Sequence, residues 1–306
     1  MPSWKGKTRG GVTGYKLFIL ILQTLGLGFA YFVLRFVVVY FLFSSPAAFK
    51  SQYKYFRDIH HFSPWKSFCF IIRNYYVFGQ ILLDKLALLS GVHNKLTFDF
   101  DGEEYLRQMK DGGLLVSAHV GNWEIAGQLL NRLDKKVNIL MLDAEHQHIK
   151  KYLSGVLSNR NVNFIVIKED YSHFKEIEAA YLNKEIIAMH GDRFIEGNMT
   201  MTMEFLGRQA RFPTGPFTMA WKFGMPVSIV FALKESSSHY HFYASPAFTF
   251  SPSRSMRQTE IERIIGKYVI KVEEMVKKYP EQWFNYYDFW EERHGIRPNE
   301  TVSLSA

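Results

Sequence analysis

The chain has 306 residues, of which 47% are hydrophobic and 16% aromatic, and its formal net charge is +8 at pH 7. This composition excludes a disordered chain, allows one large α/β domain with a small appendage, and with a single cysteine excludes an internal disulfide. The positive charge indicates acidic partners: nucleic acid, an anionic membrane, a phosphorylated substrate or an acidic carrier protein.

The N-terminal region contains the longest apolar stretch. Residues 1–14 are basic and glycine-rich and predict a flexible arm, and residues 17–43 are apolar with few polar breaks. A helix of that length spans roughly 40 Å, more than the bilayer hydrocarbon core of about 30 Å. With no cleavage site following, residues 1–45 are interpreted as a basic arm with a retained membrane anchor. Gly26 and Arg35 also fit a kinked segment at the interface, and a buried core helix is a further alternative.

Residues 46–95 mix aromatic and basic side chains, which suits helices on a bilayer surface, helices around acyl chains, or an aromatic core. Cys69, within this segment, is expected to be a buried small hydrophobic residue.

An Asp-x-Asp pair, Asp99 and Asp101, follows this segment. Two such carboxylates can hold Mg²⁺ in a glycosyltransferase or phosphatase. We favour a structural interpretation, because the flanking phenylalanines alternate as in a strand. Asp101 and Glu104 predict a capping box for a helix over residues 103–109.

The stretch from Gly113 onward predicts a strand, a tight turn and a helix. Residues 114–118 are apolar, as in a strand buried on both faces of a sheet. Asn122 is a candidate helix N-cap, and apolar residues recur at helical spacing after Trp123. His119 is thereby placed at the carboxyl end of a strand, where open α/β sheets bind ligands.

Glu124 falls in the first turn of that helix, within reach of His119. A neutral imidazole can remove a proton from a hydroxyl, and a carboxylate on its other nitrogen fixes the tautomer. Since no Ser or Cys nucleophile lies beside the pair, it is suited to activating a hydroxyl on a substrate. A histidine with a purely structural role in the turn is the competing interpretation.

The rest of the chain alternates strands and helices, which predicts an α/β fold with a mixed, mostly parallel sheet flanked by helices. This domain is expected to cover residues 46–297, followed by a loose tail at residues 298–306. The predicted strands are residues 137–142, 163–167, 186–189, 227–233 and 239–243, and the predicted helices are residues 145–158, 172–183, 212–223 and 258–279.

Two polar segments are expected at the same rim as His119. Asp192 and Arg193 follow a predicted strand, and Arg193 offers a planar charged fork for phosphate or carboxylate that Asp192 can orient. The second segment, residues 207–215, contains Arg208 and Arg211 and leads into a helix, which predicts an anion site. Its glycines do not form a P-loop, so nucleotide hydrolysis is not supported.

Three ordered blocks carry a resemblance to a known family: residues 119–124 (HVGNWE), residues 190–215 with HGDR, FLGRQA and PTG, and residues 279–287 (YPEQWFNYY). The first resembles the HX4D/E motif of membrane acyltransferases, and its Asn-Trp-Glu ending is similar to that of the lipid A late acyltransferases. The resemblance covers roughly residues 15–295. It implies catalytic roles for His119 and Glu124. The substrate-binding residues would be Asn122, Trp123, Asp192, Arg193, Gly207, Arg208, Arg211, Thr214 and Gly215.

The resemblance further implies transfer of a fatty acyl group from a thioester to a lipid hydroxyl at the bacterial inner membrane, with the catalytic domain at the cytoplasmic face. An acyl carrier protein is the favoured donor because it is acidic, and coenzyme A is the alternative. A lipid A precursor is the expected acceptor; a lysophospholipid, an aminolipid and a pigment are alternatives. No metal, no cofactor and no nucleic acid are expected.

Two other functional classes remain open from the sequence. A non-catalytic membrane-surface protein would use its basic face to bind anionic lipid. A Mg²⁺-dependent glycosyltransferase would use Asp99 and Asp101 and lose activity to a chelator.

Overall fold

The structure is a computed structural model, and it describes residues 11–89, 96–123, 125, 135–142, 162–168, 170, 172–194, 197–250 and 257–290. The helices are α1 (Gly11–Ser44), α2 (Pro46–Lys54), α3 (Pro64–Leu89), α4 (Glu103–Gln108), α5 (His173–Leu182), α6 (Gly215–Phe223) and α7 (Arg257–Lys278), with a π-helical turn at Tyr55–Ile59 and a 3₁₀ turn at Pro280–Gln282. The strands are β1 (Thr97–Asp101), β2 (Gly113–Ser117), β3 (Val137–Leu142), β4 (Val162–Ile167), β5 (Ile186–His190), β6 (Thr200–Phe205), β7 (Arg208–Pro213), β8 (Val227–Lys234) and β9 (His239–Ala244).

Seven of these strands form one sheet in the order β1-β9-β8-β2-β5-β3-β4. All neighbours run parallel except β8 and β9, which are antiparallel. The predicted α/β class with a mixed, mostly parallel sheet is therefore confirmed. Every residue of the central strand β2 is buried, which its uniformly apolar sequence requires.

The strand order places a topological switch point between β2 and β5. After β2 the chain continues to β3, beyond β5, whereas after β5 it returns past β2 to β8. The next strand in the chain thus lies on opposite sides of this strand pair for β2 and for β5. Open α/β sheets bind ligands at the carboxyl ends of such a strand pair.

Three local predictions are wrong. The helix predicted over residues 212–223 begins only at Gly215, because Arg208–Pro213 pairs with Thr200–Phe205 as a separate antiparallel hairpin. No capping box precedes α4: the left-handed Gly102 is its N-cap, without a side-chain cap. The Asp101 carboxylate instead lies 3.2 Å from His241 Nε2. Cys69 is exposed on α3, not buried.

The N-terminal apolar stretch is helical from Gly11, so part of the predicted arm is helix. Its backbone is non-helical at Gly26 (φ 79°, ψ 176°), where a kink was one of the alternatives. Lys16–Ser44 is long and apolar enough to cross a membrane, and α1 packs along α3. The predicted helix at residues 145–158 and the tail at residues 298–306 lie outside the described residues.

Candidate functional site

His119 and Asp192 meet at the carboxyl ends of β2 and β5. The His119 backbone N–H donates to Asp192 Oδ2 at 2.8 Å, and His119 Nδ1 lies 2.8 Å from Asp192 Oδ1. His119 follows β2 and Asp192 follows β5, and the two strands pair in parallel up to Ser117 opposite His190. The two residues meet because the carboxyl ends of neighbouring parallel strands share one edge of the sheet.

The exposure of the two side chains differs in a way that suits proton transfer. The Asp192 side chain is 3% exposed and that of His119 is 16% exposed. Burial raises the pKa of Asp192, but His119 and Arg193 outweigh it and hold this pKa below its ordinary value. Asp192 is therefore ionised and keeps the proton on Nδ1. Among the described residues, no hydrogen-bond partner is found for His119 Nε2, which leaves it for a substrate.

A second imidazole lies against the first. The ring centroids of His190 and His119 are 4.3 Å apart, and Trp123 packs edge-on against His190 at 4.8 Å. Burial, and then the neighbouring His119, lower the pKa of His190 well below its ordinary value. His190 is therefore a neutral ring that supports His119 and Trp123.

The turn after His119 is fixed by backbone contacts to β8 and to the C-terminal segment. Gly121 has a left-handed backbone (φ 71°), and a Cβ there would lie 2.1 Å from the Ala232 carbonyl oxygen. Only glycine fits this approach. The Gly121 N–H donates to the Gln282 carbonyl at 2.9 Å, and the Asn122 N–H donates to the Ala232 carbonyl at 2.6 Å.

The Asn122 side chain is buried and has structural partners on both sides. Its Oδ1 accepts from the Ile125 N–H at 3.2 Å, which confirms the predicted N-cap. Its Nδ2 donates to the Tyr240 hydroxyl at 3.1 Å. The substrate-binding role implied for Asn122 stays a prediction, and any such role would have to coexist with these contacts.

Phe284 connects His119 to Arg193 through its backbone. Its N–H donates to the His119 carbonyl at 2.9 Å, and its carbonyl accepts from Arg193 Nη2 at 2.7 Å. The Arg193 Nε is buried, and among the described residues it has no hydrogen-bond partner. One nitrogen of the predicted anion-binding fork thus has a structural role, and Nε is left for a ligand.

The residues predicted for the second anion segment lie in different places. Arg208 donates to the Asp58 carbonyl at 3.4 Å, within the π-helical turn. Arg211 donates to Thr200 Oγ1 at 3.0 Å and its guanidinium lies over Phe194, just after Arg193. Gly207 lies in the turn between β6 and β7. Thr214 is the N-cap of α6, and its hydroxyl donates to the Met199 carbonyl. Gly215 is exposed at the start of α6.

Glu124, predicted to orient His119, lies outside the described residues. Among the described residues, the carboxylate that contacts the His119 imidazole is that of Asp192. From the sequence, Asp192 was expected to orient Arg193 instead. The signal for this contact was present, since both residues were placed at strand ends on one rim. The sequence favoured Glu124 instead, because the predicted helix places it within reach of His119.

A metal ion could also bind in this cluster. His119, His190 and Asp192 each offer a ligand atom within 4.8 Å of the other two. However, Asp192 uses one oxygen for the His119 N–H and the other for the His119 ring. A cation bound here would have to replace the contact between the imidazole and the carboxylate.

One comparison with known proteins identifies a family for the chain. The family described as "Bacterial lipid A biosynthesis acyltransferase" matches residues 70–291, more than half of the chain. The comparison with curated proteins gives no match. The matched region includes β2, β5 and the C-terminal segment that contacts His119. The chain therefore belongs to the bacterial lipid A biosynthesis acyltransferases, a family whose members transfer acyl groups to lipid.

Proposed function

We propose that this protein is an O-acyltransferase that moves a fatty acyl group from an acyl carrier protein thioester to a hydroxyl of a lipid A precursor. The observation that carries the proposal is the contact between His119 Nδ1 and Asp192, with the second ring nitrogen left for a substrate. Coenzyme A is the alternative donor, and another lipid is the alternative acceptor. Membership of the lipid A acyltransferases supports the acceptor.

In the proposed reaction, His119 Nε2 removes the proton of the acceptor hydroxyl while Asp192 holds Nδ1–H. The hydroxyl oxygen attacks the thioester carbonyl and forms a tetrahedral oxyanion. The carbon–sulfur bond then breaks, and the imidazolium returns its proton to the thiolate. The products are an ester and a free thiol, and no acyl-enzyme forms.

Arg193 is proposed to bind a phosphate or the developing oxyanion through Nε and its remaining N–H groups. Arg211 is proposed to add positive charge, because it lies over Phe194, beside Arg193 in the chain. Arg208 has its described contact at Asp58 and is proposed to act in binding the donor, whose phosphopantetheine carries a phosphate.

The protein is proposed to work on the cytoplasmic face of the bacterial inner membrane, with residues 1–45 as its attachment. The apolar α1 and the net charge of +8 support contact with an anionic membrane. Residues 46–297 are proposed to form the catalytic domain.

The test uses full-length protein in detergent, an acyl-carrier-protein thioester and a phosphorylated lipid A precursor, with mass spectrometry of the product. His119→Ala should lower the rate by about 10²–10⁴-fold, the usual contribution of general base catalysis, and leave thermal unfolding almost unchanged. Retention of most activity by His119→Ala would refute the mechanism.

Two further measurements distinguish the proposed function from its alternatives. A chelator should leave the wild-type rate unchanged, because no step of the proposed reaction uses a metal. Loss of activity to the chelator would instead favour a metal at His119, His190 and Asp192, or the Mg²⁺-dependent alternative. Absence of any acyl product with either donor would favour the non-catalytic membrane-surface protein.

A further inference from the structure

Helix α1 has two apolar faces with different surroundings. Its inner face packs on α3, where Leu22, Ala30, Leu34 and Val38 are buried with Leu83, Leu86 and Ala87. Its outer face is exposed after the kink at Gly26 and comprises Phe29, Phe32, Phe36, Val39, Tyr40 and Phe43. Before the kink, Leu17, Leu20 and Leu25 are also exposed. From Phe29 onward the outer-face residues recur every three or four positions, so they form one continuous stripe.

The inner face also binds a buried ion pair of the catalytic domain. Lys234 Nζ lies 2.6 Å from Asp84 Oδ2, with both side chains almost fully buried. The Tyr31 hydroxyl donates to Asp84 and accepts from Lys234 Nζ at 3.2 Å. Lys234 also donates to the Ser237 carbonyl at 3.0 Å, in the exposed turn between β8 and β9.

These contacts conflict with a helix that crosses the bilayer. Tyr31 lies near the middle of Lys16–Ser44, so in a spanning helix it would lie near the centre of the hydrocarbon core. The ion pair and the polar turn at residues 235–238 would then be drawn into the hydrocarbon. Charged groups and unpaired backbone groups are costly there. Helix α1 therefore cannot span the bilayer while Tyr31 keeps its contacts with Asp84 and Lys234.

The charged residues around α1 fit a helix that lies parallel to the membrane surface. At roughly 100° per residue, Arg35 lies about a quarter turn from Phe36, on the flank between the outer and inner faces. That flank reaches the lipid headgroups when the outer face enters the acyl chains. Lys16 and Lys50, near the two ends of α1, are also exposed, and Trp65 at the start of α3 is 74% exposed.

We propose that α1 is an in-plane helix that inserts its outer face into one leaflet of an anionic bilayer and does not cross it. The inner face stays on α3 and on the pair of Asp84 and Lys234. This proposal rests on the membrane association in the proposed function, but not on the chemistry. The catalytic domain is thereby held at a fixed distance from the leaflet.

The first experiment measures on which side of the membrane the two ends of α1 lie. In full-length protein with Cys69→Ser, Lys16→Cys and Lys50→Cys are introduced singly and treated with a membrane-impermeant maleimide in spheroplasts and in inverted inner-membrane vesicles. Both cysteines should react in the inverted vesicles and neither in spheroplasts. Reaction of the two cysteines from opposite sides would overturn the proposal. So would protection of either cysteine in both preparations until detergent is added.

The second experiment tests the outer face directly. Phe36→Glu should weaken partition into vesicles of phosphatidylethanolamine and phosphatidylglycerol at least ten-fold, with thermal unfolding unchanged. Leu182→Glu, at an exposed apolar residue of α5, is the matched control and should partition like the parent protein. Equal partition of the two variants would overturn the proposal. A change in the oligomeric state of Phe36→Glu without a change in partition would also overturn it, because the outer face would then bind a second copy of the chain. Neither readout uses acyl transfer, so an inactive protein that passes both would refute only the proposed function.

Discussion

Asp192 and Asp84 are two buried carboxylates of the described residues, and they differ in what their partners leave open. Asp192 contacts a histidine whose ring is still 16% exposed and has one nitrogen available. Asp84 contacts Lys234, whose side chain is only 3% exposed, and also accepts from the hydroxyls of Tyr31 and Tyr240. A buried carboxylate with a partly open partner can take part in chemistry, whereas one that is enclosed on all sides holds elements together.

The pKa values of the two carboxylates are also shifted in opposite directions. For Asp192, the positive groups outweigh burial and lower the pKa. For Asp84, burial outweighs Lys234 and the tyrosines and raises the pKa. Burial also lowers the pKa of Lys234. Asp192 is thus kept ionised, while the junction of α1, α3 and β8 relies on hydrogen bonds as much as on charge.

A short chain of hydrogen bonds connects the two regions. The Tyr240 hydroxyl donates to Asp84 and accepts from Asn122 Nδ2 at 3.1 Å, and Asn122 Oδ1 accepts from the Ile125 N–H shortly after His119. The contact that fixes the position of α1 therefore also supports the turn of the site. In this way α1 and the turn after His119 are built on one framework.

The largest effect on the rate of acyl transfer is expected from breaking the proposed catalytic pair of His119 and Asp192. Asp192→Asn removes the charge that holds Nδ1–H, so Nε2 is no longer reliably free to accept a proton. We expect the rate of acyl transfer to fall by about 10³-fold, within the range for general base catalysis. The free energy of unfolding should fall by no more than about 2 kcal/mol, because the amide still accepts a hydrogen bond. Steady-state rates and thermal unfolding in detergent measure both quantities.

Glu124→Gln is the matched control for this prediction, since Glu124 is the carboxylate that the family motif assigns to His119. A larger loss for Asp192→Asn than for Glu124→Gln supports Asp192 as the residue that orients the imidazole. The reverse order of the two variants would return that role to Glu124.

Breaking the buried pair of Asp84 and Lys234 is expected to lower stability and to leave turnover unchanged. Asp84→Ala leaves Lys234 buried without its carboxylate, which costs about 3–5 kcal/mol when one member of a buried pair is removed. The unfolding temperature should fall clearly, while the rate per folded molecule changes little. The double variant Asp84→Leu, Lys234→Met should recover most of the stability, because apolar replacement of a whole pair is often neutral. A double variant as unstable as Asp84→Ala would contradict this account.

The sequence predicted most of the sheet because its strands are apolar and its turns are marked, as with residues 137–142, which form β3 as predicted. It also placed His119 and Asp192 on one rim. It did not identify their contact, because strand order determines which ends are neighbours, and a pattern along one chain does not contain that order. The β6–β7 hairpin was missed because its strands are half polar and turn through Leu206 and Gly207 with positive φ. The pair of Asp84 and Lys234 joins residues 150 positions apart, and no local signal indicates it.

The smallest effect expected is a difference in how stability depends on pH. A carboxyl whose folded pKa is lowered adds stability above its unfolded pKa of about 4 and loses it as the pH falls further. Asp192 is of this kind, so Asp192→Asn should flatten the loss of stability below about pH 4. A carboxyl with a raised folded pKa gains relative stability as the pH falls through that value, and Asp84→Asn should remove this gain. Thermal unfolding in detergent from pH 7 to pH 3 measures both slopes, and parallel curves for the two variants would show that the two carboxylates do not differ as described.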